Sequence, residues 1–178
     1  MNNFAEITLV QRFNKVTYYT LTINDEDALF KQFVAKHTVT DKEKLNHIMA
    51  WIKVIGTKTG AHEQYFRNES ATADTRALPP IGVTRPPMFV EIDDEGMEQP
   101  TKNNLRLYCM RLNKYVVILF SGAIKTAEKA QECEQVRTHF YLANRLTKLI
   151  DEAFKAKDIQ WNTEGTDIVF AEDFTLMW

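Results

Sequence analysis

Cysteine and glycine are scarce in this chain of 178 residues, and long apolar runs are missing. Its two cysteines, Cys109 and Cys133, stand far apart and form no C-x-x-C pair. That excludes a zinc knuckle and a disulfide framework, and it points to a reducing compartment. The six glycines build no G-x-x-x-x-G-K-[ST], no G-x-G-x-x-G and no G-x-S-x-G, so nucleotide cradles and serine-hydrolase elbows lack support. No stretch approaches the roughly 18 apolar residues of a membrane span. The opening Met1-Asn2-Asn3-Phe4-Ala5-Glu6 turns polar at once, unlike a signal peptide. The expectation is a soluble, cytoplasmic protein without membrane association. The four histidines, His37, His47, His62 and His139, show no H-x-x-x-H or H-E-x-x-H pairing, so no metal or other cofactor is expected. The acids Glu91, Asp93, Asp94, Glu95 and Glu98 lack the spaced ligands of a calcium loop and read as a solvated hairpin tip.

What is present is an ordinary globular composition, 44% hydrophobic, 26% charged and 11% aromatic, at a length that suits one domain spanning residues 1–178. The net charge of −2 is unevenly spread. Lys102 to Lys157 holds eleven Lys or Arg against five acids, and the rest of the chain eleven against nineteen. The basic part suits either a phosphate partner or a solvated helix face.

Phe4–Val10 and Val16–Ile23 are rich in β-branched and aromatic residues around the turn former Asn14, which predicts an opening hairpin over residues 1–24. Asn24 with Asp25, Glu26 and Asp27 reads as an N-cap with an acidic first turn, leading a helix with Leu29, Phe30, Phe33, Val34 and His37 on one stripe. Thr40 and Glu43 read as a capping box for a second helix that runs to Gly56. Thr57 to Lys102 carries all five prolines and loses periodicity, so it reads as a long loop holding one short strand, Met88–Ile92. Leu105–Leu112 and Tyr115–Phe120 read as a hairpin closed by Asn113-Lys114, the second strand being buried on both faces. One long helix to Lys157 follows, with Cys133 as its point of interruption, and a last hairpin forms around Thr163-Glu164-Gly165. The fold class is α+β: a mostly antiparallel sheet, built from the three hairpins, packed against three helices.

The informative side chains are cationic. Strand alternation sets Arg106 and Tyr108 on one face, Lys125 lies where a strand ends, and Arg67 comes from the long loop. Three cations from three segments suit one phosphate, and could stabilise a phosphorane without metal. Local pairing, Arg67 with Glu69 and Lys125 with Glu128, is the competing reading.

The run Leu105-Arg106-Leu107-Tyr108 through Val116 to Phe120 and Ser121-Gly122-Ala123-Ile124-Lys125-Thr126, then a helix with Lys129 and Ala130, resembles RelE/HigB-like toxins, the phage Gp49-like branch especially. The likeness covers about residues 25–146 and includes an α-α-β-β-β order, with residues 147–178 as a helix end and closing hairpin. Ile124 stands where such proteins carry the first of two lysines. The resemblance implies a RelE-like core and the toxin of a type II toxin-antitoxin pair, a metal-independent mRNA endoribonuclease. The ribose 2′-OH would attack the adjacent phosphate. It implies mRNA or the ribosome and a cognate antitoxin as partners, with Arg106 stabilising transition-state charge, Lys125 as the surviving lysine and Arg67 as a further match. His62 and Tyr108 are candidates for general base or assistant, and Arg111, Lys114 and Lys129 for RNA contacts. The alternative is a non-catalytic interaction module of a mobile genetic element, with Ala61–Pro87 as its exposed contact loop.

Overall fold

The computed structural model describes residues 2–70, 73–126 and 133–178. It is α+β, with three α-helices and a seven-stranded, mostly antiparallel sheet. β1 (Phe4–Arg12) and β2 (Thr17–Ile23) form the expected opening hairpin, and α1 (Leu29–Thr40) and α2 (Lys42–Val54) follow. β3 (Arg67–Asn68) and β4 (Thr75–Leu78) precede a small separate hairpin, β5 (Val90–Ile92) and β6 (Glu98–Pro100). The central strands are β7 (Leu105–Arg111) and β8 (Val116–Ile124), and α3 (Glu134–Lys155) leads to β9 (Ile159–Trp161), β10 (Ile168–Phe170) and β11 (Leu176–Met177). The sheet order is β11-β1-β2-β8-β7-β4-β3, and β2 with β8 is its one parallel pair.

Period-2 alternation on the central strands serves two cores. Leu105, Leu107 and Cys109 of β7 join Val117 and Leu119 of β8 under α1 and α2, where they meet Phe33, Ile48 and Ile52. Tyr108 and Met110 join Val116, Ile118 and Phe120 on the other face, against Val136, Phe140, Leu146 and Ile150 of α3. β8 is therefore buried on both faces, as its unbroken apolar run predicts.

Several elements differ from the sequence reading. α1 starts at Leu29, not after Asn24; Asn24 and Asp25 have φ of 49° and 59°, and the Asn24 side-chain Oδ1 accepts the Phe4 N–H at 3.0 Å. Its helix end is served from the sheet instead, since the buried Thr20 hydroxyl oxygen accepts the Phe30 N–H at 3.1 Å. The Thr40 capping box does not form: Thr40 ends α1 and its hydroxyl donates to Lys36 O and Asp41. The 57–102 region is less of a loop than its prolines suggest. It adds β3 and β4 to the sheet and buries Ala61, Phe66, Ala77 and Leu78, so Ala61–Pro87 is exposed only in part, at residues such as His62–Gln64 and Ile81–Gly82. Ser121-Gly122 does not end the strand but lies inside β8. The closing hairpin β9–β10 pairs only with itself, and the sheet takes just β11 from the C-terminal segment. Residues 127–132 of the expected long helix, Lys129 among them, lie outside the described residues.

Candidate functional site

β7 presents Arg106 and Tyr108 toward the α3 side, where Tyr108 meets Phe140 edge-on with ring centroids 5.8 Å apart. Arg67 is paired across the sheet with Ala77, and Ala77 with Tyr108. Because alanine ends at Cβ, that face keeps space between the arginine and the phenol. Lys125 leaves the end of β8, fixed by its backbone N–H to Asn104 O at 2.8 Å. Three of the singled-out cations and the tyrosine thus come from β3, β7 and the end of β8 to one place.

Their shared neighbour is Glu69, the residue after β3. Its two oxygens divide between two cations: Oε2 is 3.0 Å from Lys125 Nζ and Oε1 is 3.5 Å from Arg106 Nε. The Glu69, Arg106 and Lys125 side chains are only 7%, 11% and 12% exposed, so this carboxylate works where water screens little. The Arg67–Glu69 pairing expected from adjacency gives way to carbonyl contacts. Arg67 Nε donates to Pro79 O at 2.6 Å and Nη2 to Pro80 O at 3.3 Å. Arg67 still feels the cluster: burial and then the Arg106 charge push its pKa down to about 10, against the pull of Glu69. Arg106 Nη1 donates to Asn103 O at 2.6 Å and Leu105 O at 3.1 Å. Burial lowers its pKa as well, opposed by Glu69 and Tyr108.

Three guanidinium or ammonium groups around one carboxylate leave the described part of the cluster with a formal excess of two positive charges. One donor is idle and another poorly met: among the described residues, buried Tyr108 Oη has no hydrogen-bond partner, and buried Arg106 Nε has only the 3.5 Å contact to Glu69. Such atoms are rare in a folded interior and ask for an explanation. Burial first, and the Glu69 charge second, raise the Tyr108 pKa, so its phenol stays protonated. In that form it can donate to an anion.

The remaining candidates stand elsewhere. Arg111 donates through Nε to Ala61 O and has Nη1 3.6 Å from Glu63, so it braces the segment before β3. Lys114 Nζ sits 5.1 Å from the Tyr115 ring centre, at the β7–β8 turn. His62 follows Ala61 and lies tilted against Tyr65, 6.4 Å between centroids. Arg106 and Arg111 are five residues apart on β7, about 16 Å of strand, so His62, Arg111 and Lys114 gather at the opposite end from the cluster. Glu69 is the member that sequence reasoning saw only as a local partner of Arg67. The signal was its place two residues beyond a cation in a segment that otherwise lacks acids until Asp74. Compared with known protein families, curated proteins and solved structures, the chain matches none.

Proposed function

We propose that the Arg67–Arg106–Lys125–Tyr108 cluster is a phosphate-binding site, and that the chain is a RelE/HigB-like toxin acting as a metal-independent mRNA endoribonuclease. The observation that carries this reading is the excess of cations among the described residues of the cluster, with Tyr108 Oη idle and Arg106 Nε held only by the 3.5 Å contact to Glu69. An uncompensated buried charge is costly, and a phosphodiester would bring these cations a negative charge together with acceptors for their donors. When the ribose 2′-OH attacks the adjacent phosphate, negative charge grows on the phosphorane oxygens. Arg106 and Lys125 are aimed at one small region, and fixed charges of that kind are usually the largest single contribution to catalysis. Tyr108 donates a hydrogen bond to the same oxygens. His62 lies toward the Arg111 end of β7, so the reading rests on charge stabilisation. Messenger RNA, alone or on the ribosome, is the substrate and a cognate antitoxin the silencing partner.

The second reading, a non-catalytic interaction module that keeps a RelE-like fold, draws on a different observation. Hairpin β5–β6 is exposed along both strands and holds out Ile92 and Met97, 73% and 59% accessible. Inducible expression in a bacterial host separates the two, with wild type beside Arg106→Ala and Lys125→Ala. Growth arrest with new mRNA 5′ ends, removed by either substitution in a folded protein, is the expected result. Normal growth and intact mRNA from soluble wild-type protein would overturn the ribonuclease reading and leave the module.

A further inference from the structure

We propose that Glu69 is an internal latch: its carboxylate occupies the phosphate position of the cluster, so that an incoming phosphate must displace it. This inference rests on the phosphate-site reading and adds the regulation of that site. A carboxylate that gives one oxygen to Arg106 Nε and the other to Lys125 Nζ spans two cations as the two free oxygens of a phosphodiester would. Charge agrees with shape, because Glu69 and a phosphodiester each bring one negative charge, and exchange leaves the cluster's balance unchanged. The longer of the two contacts, 3.5 Å at Arg106, falls short of a hydrogen bond and leaves Nε unsatisfied, so the carboxylate fills the place imperfectly. Tyr108 Oη, fully buried and without a hydrogen-bond partner among the described residues, accepts none from Glu69 and gives none to it. An anion of tetrahedral shape has additional acceptors for it. Glu69 also follows a strand of only two residues at the outer end of the sheet order, so few ladder hydrogen bonds hold it in place. The fold therefore keeps its cations soluble and preorganised without a ligand, at the cost of competition when one arrives.

Calorimetric titration of inorganic phosphate into the full chain, at constant ionic strength, tests the latch. Glu69→Gln keeps the side-chain volume and removes the competing charge, so its phosphate Kd should fall about tenfold or more below that of wild type. Adding Arg106→Ala should abolish the gain, which places the phosphate in this cluster. Unchanged or weaker phosphate binding by a folded Glu69→Gln would overturn the latch. Should that variant fail to fold, Glu69→Asp retains the charge but shortens its reach. It should then show tighter phosphate binding than wild type and a larger rise in Tm with phosphate; behaviour equal to wild type overturns the proposal. The two readings fail differently. Tighter phosphate binding by Glu69→Gln with no RNA cleavage by any variant keeps the latch and removes the ribonuclease. Cleavage by wild type with no gain in phosphate binding on Glu69→Gln does the reverse.

Discussion

Gly122 and Arg106 are coupled through backbone. A Cβ at Gly122 would come within 1.8 Å of Arg106 O and 2.8 Å of its carbonyl carbon, neither of which can move without distorting the β7–β8 pairing. The ladder between these strands slips between Leu107 and Cys109, and the glycine sits across from Leu107 beside that irregularity. Gly122→Ala is expected to destabilise the protein by about 3 kcal/mol, the upper part of the overpacking range, as read by urea denaturation. Because the displaced group is the Arg106 carbonyl, it should also weaken phosphate binding at temperatures where the variant stays folded. At this scale the sequence showed which cations could meet, because β-alternation fixes the face of Arg106 and Tyr108. It left open what they meet. The pairing of Glu69 with residues 37 and 56 positions away is a long-range contact that no local spacing encodes. His62 illustrates the same limit, since its closeness to Arg67 in sequence does not reveal that it lies toward the Arg111 end of β7.

Elements differ in how much of the fold leans on them. Hairpin β5–β6 packs through the residue before it: Phe89 is 7% exposed and lies 5.6 Å from the His47 ring, whereas every residue of both strands is exposed. Thr101 N–H donates to Phe89 O at 2.9 Å, so the two stems of the hairpin are already adjacent. Replacing Val90–Pro100 with a short Gly-containing turn should change stability by no more than about 0.5 kcal/mol, as for surface changes away from packed features. Urea denaturation reads this, and a cooperative loss of the core would contradict it. If the interaction-module reading holds, the same excision removes partner capture while leaving the fold. The elements that were legible are those with strong periodicity: the opening hairpin, both early helices, α3 from Glu134 and the buried strand β8. β4 was hidden because Thr75-Arg76-Ala77-Leu78 is short and followed by two prolines, and it is a strand only because β7 offers it a ladder. The two helix starts were misplaced for a related reason. Capping signals at Asn24 and Thr40 were locally reasonable, but the chain spends Asn24 on holding Phe4 and caps α1 with Thr20 from the sheet.

For the whole molecule, two half-buried histidines set the response to mild acid. His47 accepts from Asn103 Nδ2 at Nδ1, 3.0 Å, and donates from Nε2 to Pro87 O, also 3.0 Å, an arrangement that suits the neutral ring. Burial lowers its pKa, partly offset by the Pro87 carbonyl. His139 is lowered by burial first and then by the charges of Lys36 and His37. With folded pKa values below the ordinary 6.5, the unfolded chain binds these protons first. Their stabilising contribution is therefore complete above about pH 6.5 and declines as pH falls below it. Denaturation midpoints between pH 7.5 and 5 should fall with acidification, and His47→Gln together with His139→Gln should flatten that slope. An unchanged slope in the folded double variant would contradict the assignment.

The sequence by itself determined the class of fold, the two-faced burial of β8 and the shared face of Arg106 and Tyr108, because period and composition act over a few residues. The tertiary structure alone decided that the proline-bearing segment supplies two strands, that the closing hairpin stands apart, and that three cations gather around Glu69. Those outcomes depend on which backbone edges find partners and on which charges are buried together, and both are set by contacts between residues far apart in the chain.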